Sequence, residues 1–120
     1  MEGSVERFTR EREEGNRRVS EAGNLTINRF FALDQRAYED GALPAATKEL
    51  IGLAASMVLR CDDCIRYHLM RCREEGLGGA EIHEALAVSL VVGGSIVIPH
   101  LRRALGFLEE LEGGAASSGA

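Results

Sequence analysis

The sequence predicts an all-α fold, a bundle of five or six helices that finishes its burial in an oligomer. Three observations carry this. Apolar residues recur at three- and four-residue steps through most of the chain, as on one face of a helix. No alternating strand pattern and no internal repeat is evident. Gly41, Pro44, Gly76, the Leu77-Gly78-Gly79 segment and Pro99 punctuate the periodic stretches where helices would end or begin.

Residues 1–22 mix Glu and Arg with few apolar anchors (Val5, Phe8, Val19) and read as a charged N-terminal arm or a loosely docked helix. From Leu25 to Tyr38 the residues Ile27, Phe30, Phe31, Leu33 and Ala37 form one apolar stripe, ended by Gly41. Pro44 suits the first turn of the next helix, which reaches about Arg60 and carries Glu49 at the head of a largely buried stripe of Leu50, Ile51, Leu53, Ala54, Met57 and Val58. Asp62 and Asp63 are good N-cap types, so the helix is expected to break or kink at Cys61 and restart. The restarted helix runs to Glu75 and stops at Gly76. Another covers Ala80 to about Val97, and a last one after Pro99 carries Leu101, Leu105 and Leu108. The domain organisation expected is an arm at 1–22, a helical domain at 23–112 and a flexible tail at 113–120.

A length of 120 residues predicts one domain, and Trp is absent with aromatics at 5%, so Leu, Val, Ile and Ala must build the core. The net charge of −5, with 13 arginines and one lysine scattered among acids, argues against nucleic acid and anionic membranes as partners. The longest apolar stretch, Val88 to Ile98, is about half of a membrane-spanning helix. It is apolar nearly all round, more than one neighbouring helix can cover, which predicts a homo-oligomer. The charged N-terminus does not read as a secretion signal, and the expected location is cytoplasmic.

The chemistry concentrates in Cys61-Asp62-Asp63-Cys64 and in His68, four residues on. Thiols at i and i+3 on a helix have Cα atoms about 5 Å apart, within disulfide range. His68 lies one turn beyond Cys64, where an imidazole can take a thiol proton, and a helix restarting at Cys61 would aim free N–H groups at the sulfurs. In a cytoplasmic chain such a pair reads as a redox dithiol or a metal site. Geometry disfavours zinc: Cys61 and Cys72 are about 16 Å apart along a helix axis, whereas zinc ligands lie about 2.0–2.3 Å from the metal. Cys72 reads as a small buried residue. Glu49, beside buried leucines, is placed to face the interior and orient His68. His83, between Glu81 and Glu84, reads as a surface residue. His100 at a helix start could cap or pack. Gly93-Gly94 lacks the spacing and lysine of a phosphate loop and suits close helix packing.

Taken together, Leu43-Pro44, Thr47-Lys48-Glu49-Leu50-Ile51, Leu53-Ala54, Cys61-Asp62-Asp63-Cys64-Ile65, His68, Gly76 and Ala80-Glu81-Ile82-His83-Glu84-Ala85-Leu86 resemble the carboxymuconolactone decarboxylase family. Over about residues 25–112 the chain looks more narrowly like its alkylhydroperoxidase AhpD-like branch, which has the Glu and Cys-x-x-Cys-x-x-x-His constellation; the decarboxylases proper lack the cysteine pair. The resemblance implies an AhpD-like bundle, a homo-oligomer (trimer or hexamer), and a thiol-dependent peroxidase or disulfide oxidoreductase. By position, Cys64 would be the thiol activated by His68, Cys61 its disulfide partner and Glu49 the carboxylate of the proton relay. Relatives with peroxidase activity often have histidine where this chain has Asp63, a carboxylate that opposes thiolate formation. The expected cycle has a peroxide oxidise Cys64, Cys61 condense with it and an external thiol reduce the disulfide, with no metal or organic cofactor. The alternatives are a decarboxylase or lactone-handling enzyme using His68 and Glu49 for acid–base work, and a non-enzymatic metal-binding or redox-sensor oligomer.

Overall fold

The computed structural model describes residues 1–116 as six α-helices and one 3₁₀ turn, and among the described residues there is no strand. The chain forms two compact units, Met1–Glu39 and Asp40–Ala120. In the first, α1 (Ser4–Glu21) and α2 (Leu25–Ala37) make a helical pair with no buried residue in either helix. The charged 1–22 segment is thus mostly helix, carrying surface pairs such as Arg10 with Glu2 at 2.9 Å. The α2 stripe exists, but Ile27, Phe30, Phe31 and Leu33 are all exposed in the single chain.

The second unit holds the core. Its helix α3 (Ala45–Leu59) packs against both α4 (Asp62–Glu74) and α5 (Gly79–Gly93), and α6 (Ile98–Ala116) packs on α4. Leu53, Met57, Ile65, Leu69, Ile82, Leu86, Val97 and Leu108 fill the space between them. Ser89, almost fully buried on α5, donates its hydroxyl to the carbonyls of Ala85 (3.0 Å) and, across the interface, Ala54 (3.3 Å).

Several local details differ from the sequence expectation. Pro44 is the residue before the first turn of α3 rather than within it, and the helix start is capped by Asp40, whose Oδ1 accepts the Ala45 N–H at 2.7 Å. Ile51 and Val58 are exposed in the chain, because the buried face of α3 is Glu49, Gly52, Leu53, Ser56 and Met57. The helix expected from Ala80 to Val97 is broken: α5 ends at Gly93, Gly94 takes φ +82°, and a 3₁₀ turn (Ser95–Val97) leads into α6. Gly93 makes the bend possible in another way, since a Cβ there would collide with the Val97 side chain. The helix of α6 continues into the segment read as a tail, and residues 117–120 lie outside the described residues.

Candidate active site

The site begins where α3 stops. Arg60 takes a left-handed conformation, the only non-glycine residue with positive φ among those described. The Arg60 N–H bonds the Met57 carbonyl and the Cys61 N–H bonds the Ser56 carbonyl, which satisfies the helix end and turns the chain sharply. Cys61 is thereby placed as the N-cap of α4, a role expected for Asp62 or Asp63. Its Sγ accepts the Cys64 N–H at 3.3 Å. The restart is therefore real, and the first cysteine's sulfur receives one of the free N–H groups, that of Cys64, at the positive end of the new helix. Cys64, on the first turn, is exposed, while Cys61 is half-buried.

One turn further, His68 points inward and is 7% exposed. Its Nδ1 lies 2.8 Å from Oε1 of Glu49, which is 1% exposed. A carboxylate only accepts, so against Glu49 His68 donates from Nδ1–H. Glu49 and Gly52 lie one turn apart on the buried face of α3, and the imidazole lies against Gly52. A Cβ at Gly52 would come within 2.6 to 2.9 Å of three ring atoms. Arg71 approaches the other oxygen of Glu49 (Nε to Oε2, 3.5 Å) while bonding Glu74 at 2.6 Å and Glu75 at 2.9 Å. The buried carboxylate thus has a partner for each oxygen.

Cys72 is fully buried, and burial, helped by the nearby Glu49 charge, pushes its thiol up to about 12. It stays protonated and inert at neutral pH. Asp63 directs its carboxylate to solvent, 81% exposed and 3.4 Å from Arg66. His83 is exposed. His100 is not merely a packing residue: its Nδ1 meets Asp62 Oδ1 at 2.8 Å, and Arg103 Nε meets Asp62 Oδ2 at 3.0 Å. Among the described residues no three His, Cys, Asp or Glu side chains converge as a metal-ligand set.

Of the residues expected at the site, Glu49 and His68 meet directly, and Cys61 and Cys64 share the start of α4. Sequence reasoning missed Gly52, Arg71 and the Asp62–His100–Arg103 cluster. Gly52 stands three residues after Glu49 on the same helical face, and that spacing is its signal in the sequence.

The model of the carboxymuconolactone decarboxylase family matches residues 26–110. This chain belongs to that family. A member from Thermotoga maritima, whose crystal structure was linked with a suggested role in antioxidative response, is 58% identical, with a TM-score of 0.88 over 95% of this chain and 97% of that one. Another family member, from Legionella pneumophila, is 26% identical with a TM-score of 0.81, covering 88% and 95% of the two chains. Protein 4 of the cox locus of Paracoccus denitrificans, itself uncharacterised, is 35% identical over 95 residues, 79% of this chain and 86% of that protein. The Thermotoga likeness spans both units of this family member, whereas the family match begins within α2. No helix among the described residues is long and apolar enough to cross a membrane.

Proposed function

We propose that this family member is a cytoplasmic thiol-dependent peroxidase and disulfide oxidoreductase of the alkylhydroperoxidase AhpD-like branch. The observation that carries the reading is the buried Glu49–His68 pair, 2.8 Å apart, with His68 one helical turn along α4 from an exposed Cys64 whose backbone N–H is bonded to the Cys61 sulfur. In the cycle, His68 takes the Cys64 proton and Glu49 steadies the imidazolium. The Cys64 thiolate attacks the distal oxygen of a hydroperoxide, the O–O bond breaks, and the alkoxide leaves as alcohol with a proton from the relay. The sulfur is now a sulfenic acid. Cys61 attacks it, releases water and forms the Cys61–Cys64 disulfide. An external dithiol then gives two electrons and two protons, regenerating both thiols and leaving as its own disulfide. Each step involves sulfur, oxygen and protons alone, so the cycle needs no metal or organic cofactor.

The test is peroxide consumption with several thiol reductants, comparing wild type with Cys64→Ser. Activity should be lost in the variant, and peptide mapping after one equivalent of peroxide should find Cys61 linked to Cys64 with Cys72 still a thiol. Undiminished consumption by Cys64→Ser, or Cys72 in the principal disulfide, would overturn the reading and leave Glu49–His68 as a pair for decarboxylase-type acid–base work.

The same reading includes a homo-oligomer, trimer or hexamer. Ile51 (53% exposed) and Leu59 (76%) on α3, with Val88 (59%), Val91 (85%) and Val92 (70%) on α5, form large apolar surfaces that a single chain leaves in water. Sedimentation at micromolar concentration should give a mass well above 13.0 kDa. A clean monomer would refute this assembly.

A further inference from the structure

The Cys-x-x-Cys motif contains an electrostatic conflict. Cys61 caps α4, and the next two residues, Asp62 and Asp63, are both acidic. Carboxylates in a first helical turn suit the helix dipole, but they compete with a thiolate for the same positive end. Asp63 is turned to solvent, where water and salt screen it. Asp62 is treated differently: its side chain is 31% exposed and both oxygens are taken by α6, Oδ1 by His100 Nδ1 at 2.8 Å and Oδ2 by Arg103 Nε at 3.0 Å. The partners lie 38 and 41 residues away, so this is a tertiary contact rather than local helix chemistry.

Burial works against ionising Asp62, but the His100 hydrogen bond and the Arg103 charge outweigh it and hold the carboxyl below its ordinary range. Because the carboxylate only accepts, His100 donates from Nδ1–H to Oδ1 while Arg103 donates from Nε to Oδ2, with Arg103 Nη2 lying 3.3 Å from His100 Nδ1. The polar contacts of His100 among the described residues are Asp62 from α4 and Arg103 from its own helix, with none from α5 or the 3₁₀ turn.

We propose that His100 and Arg103 are positioning residues for the redox pair: by taking both oxygens of Asp62 they tie the first turn of α4 to α6 and prevent this carboxylate from opposing thiolate formation at Cys61. The idea rests on the dithiol reading of Cys61 and Cys64, but its test uses neither peroxide nor reductant. The fully reduced, full-length protein is alkylated with iodoacetamide between pH 6 and 9, as a chosen range around neutrality, and modification of Cys61 and Cys64 is quantified separately by mass spectrometry. Arg103→Gln should slow Cys61 alkylation about three- to tenfold at neutral pH and move its profile about half to one pH unit upward. Arg103→Lys, which keeps the charge but not the fork, should recover part of the rate.

The deciding variant is the double one. With Asp62→Asn there is no carboxylate left to mask, so Asp62→Asn/Arg103→Gln should return to within about twofold of wild type. An unchanged profile in Arg103→Gln overturns the proposal. So does a double variant as slow as the single one, because that pattern means Arg103 only supports the fold. A failure of the peroxidase reading would show instead in peroxide turnover and would leave these alkylation rates as expected.

Discussion

Gly52→Ala is expected to remove most of the reactivity of Cys64 without touching either cysteine. The new methyl group would stand 2.6 Å from Cε1, 2.8 Å from Nε2 and 2.9 Å from Nδ1 of His68. The imidazole is a rigid ring, 7% exposed and hydrogen-bonded to Glu49, so it must leave its place or push the helices apart. Either response breaks the seat of the ring against Gly52 and Glu49, and in the proposed relay a misplacement by about 1 Å can cost on the order of a hundredfold in proton transfer. Overpacking should also cost about 1–3 kcal/mol of stability. Gly106→Ala, in a helix where nothing lies within 4 Å of the added methyl, is the comparison. It should stabilise by up to about 1 kcal/mol. Alkylation kinetics and thermal unfolding of the two variants test both statements. Cys64 reacting at the wild-type rate in Gly52→Ala would show that the His68 ring position does not control it.

The second large effect concerns the carboxylate. Glu49→Gln keeps the shape and one acceptor oxygen but removes the charge that stabilises an imidazolium, so Cys64 alkylation at neutral pH should slow by roughly tenfold. His68→Ala should slow it to a similar degree, and the double variant should be little worse than either, because the groups act in one relay. Independent, multiplying effects would show that Glu49 acts elsewhere. Glu49→Ala is a different experiment. It strands the buried His68 donor and takes an anionic partner from Arg71, and should cost roughly 2–3 kcal/mol of stability.

The helical class was legible because buried faces repeat every three to four residues, and Gly76 ends α4 where expected, with φ +86°. The order Glu49, Cys61, Cys64, His68 was legible because helix register alone puts Cys64 and His68 on one side. The exposure of His83 followed from its acidic neighbours, and the burial of Cys72 from its residue type once helix distance had set aside a shared zinc.

Other features could not be read this way. The Glu49–His68 pairing was expected from the buried stripe and the family resemblance, but its geometry depended on how α3 packs against α4, with 19 residues of chain and a sharp turn between them. That turn rests on Arg60 in a left-handed conformation, which composition does not signal because glycine or asparagine is the usual choice there. The same turn made Cys61 a cap rather than a helical residue. The need for a missing side chain at Gly52, the approach of Arg71 to Glu49 and the hold of α6 on Asp62 are contacts between surfaces that meet only after packing. From sequence alone came the periodicities and the chemistry of neighbours within a helix, because backbone geometry sets both locally. The tertiary structure decided which buried polar groups meet, because such pairing depends on the distance and angle between helices far apart in the chain.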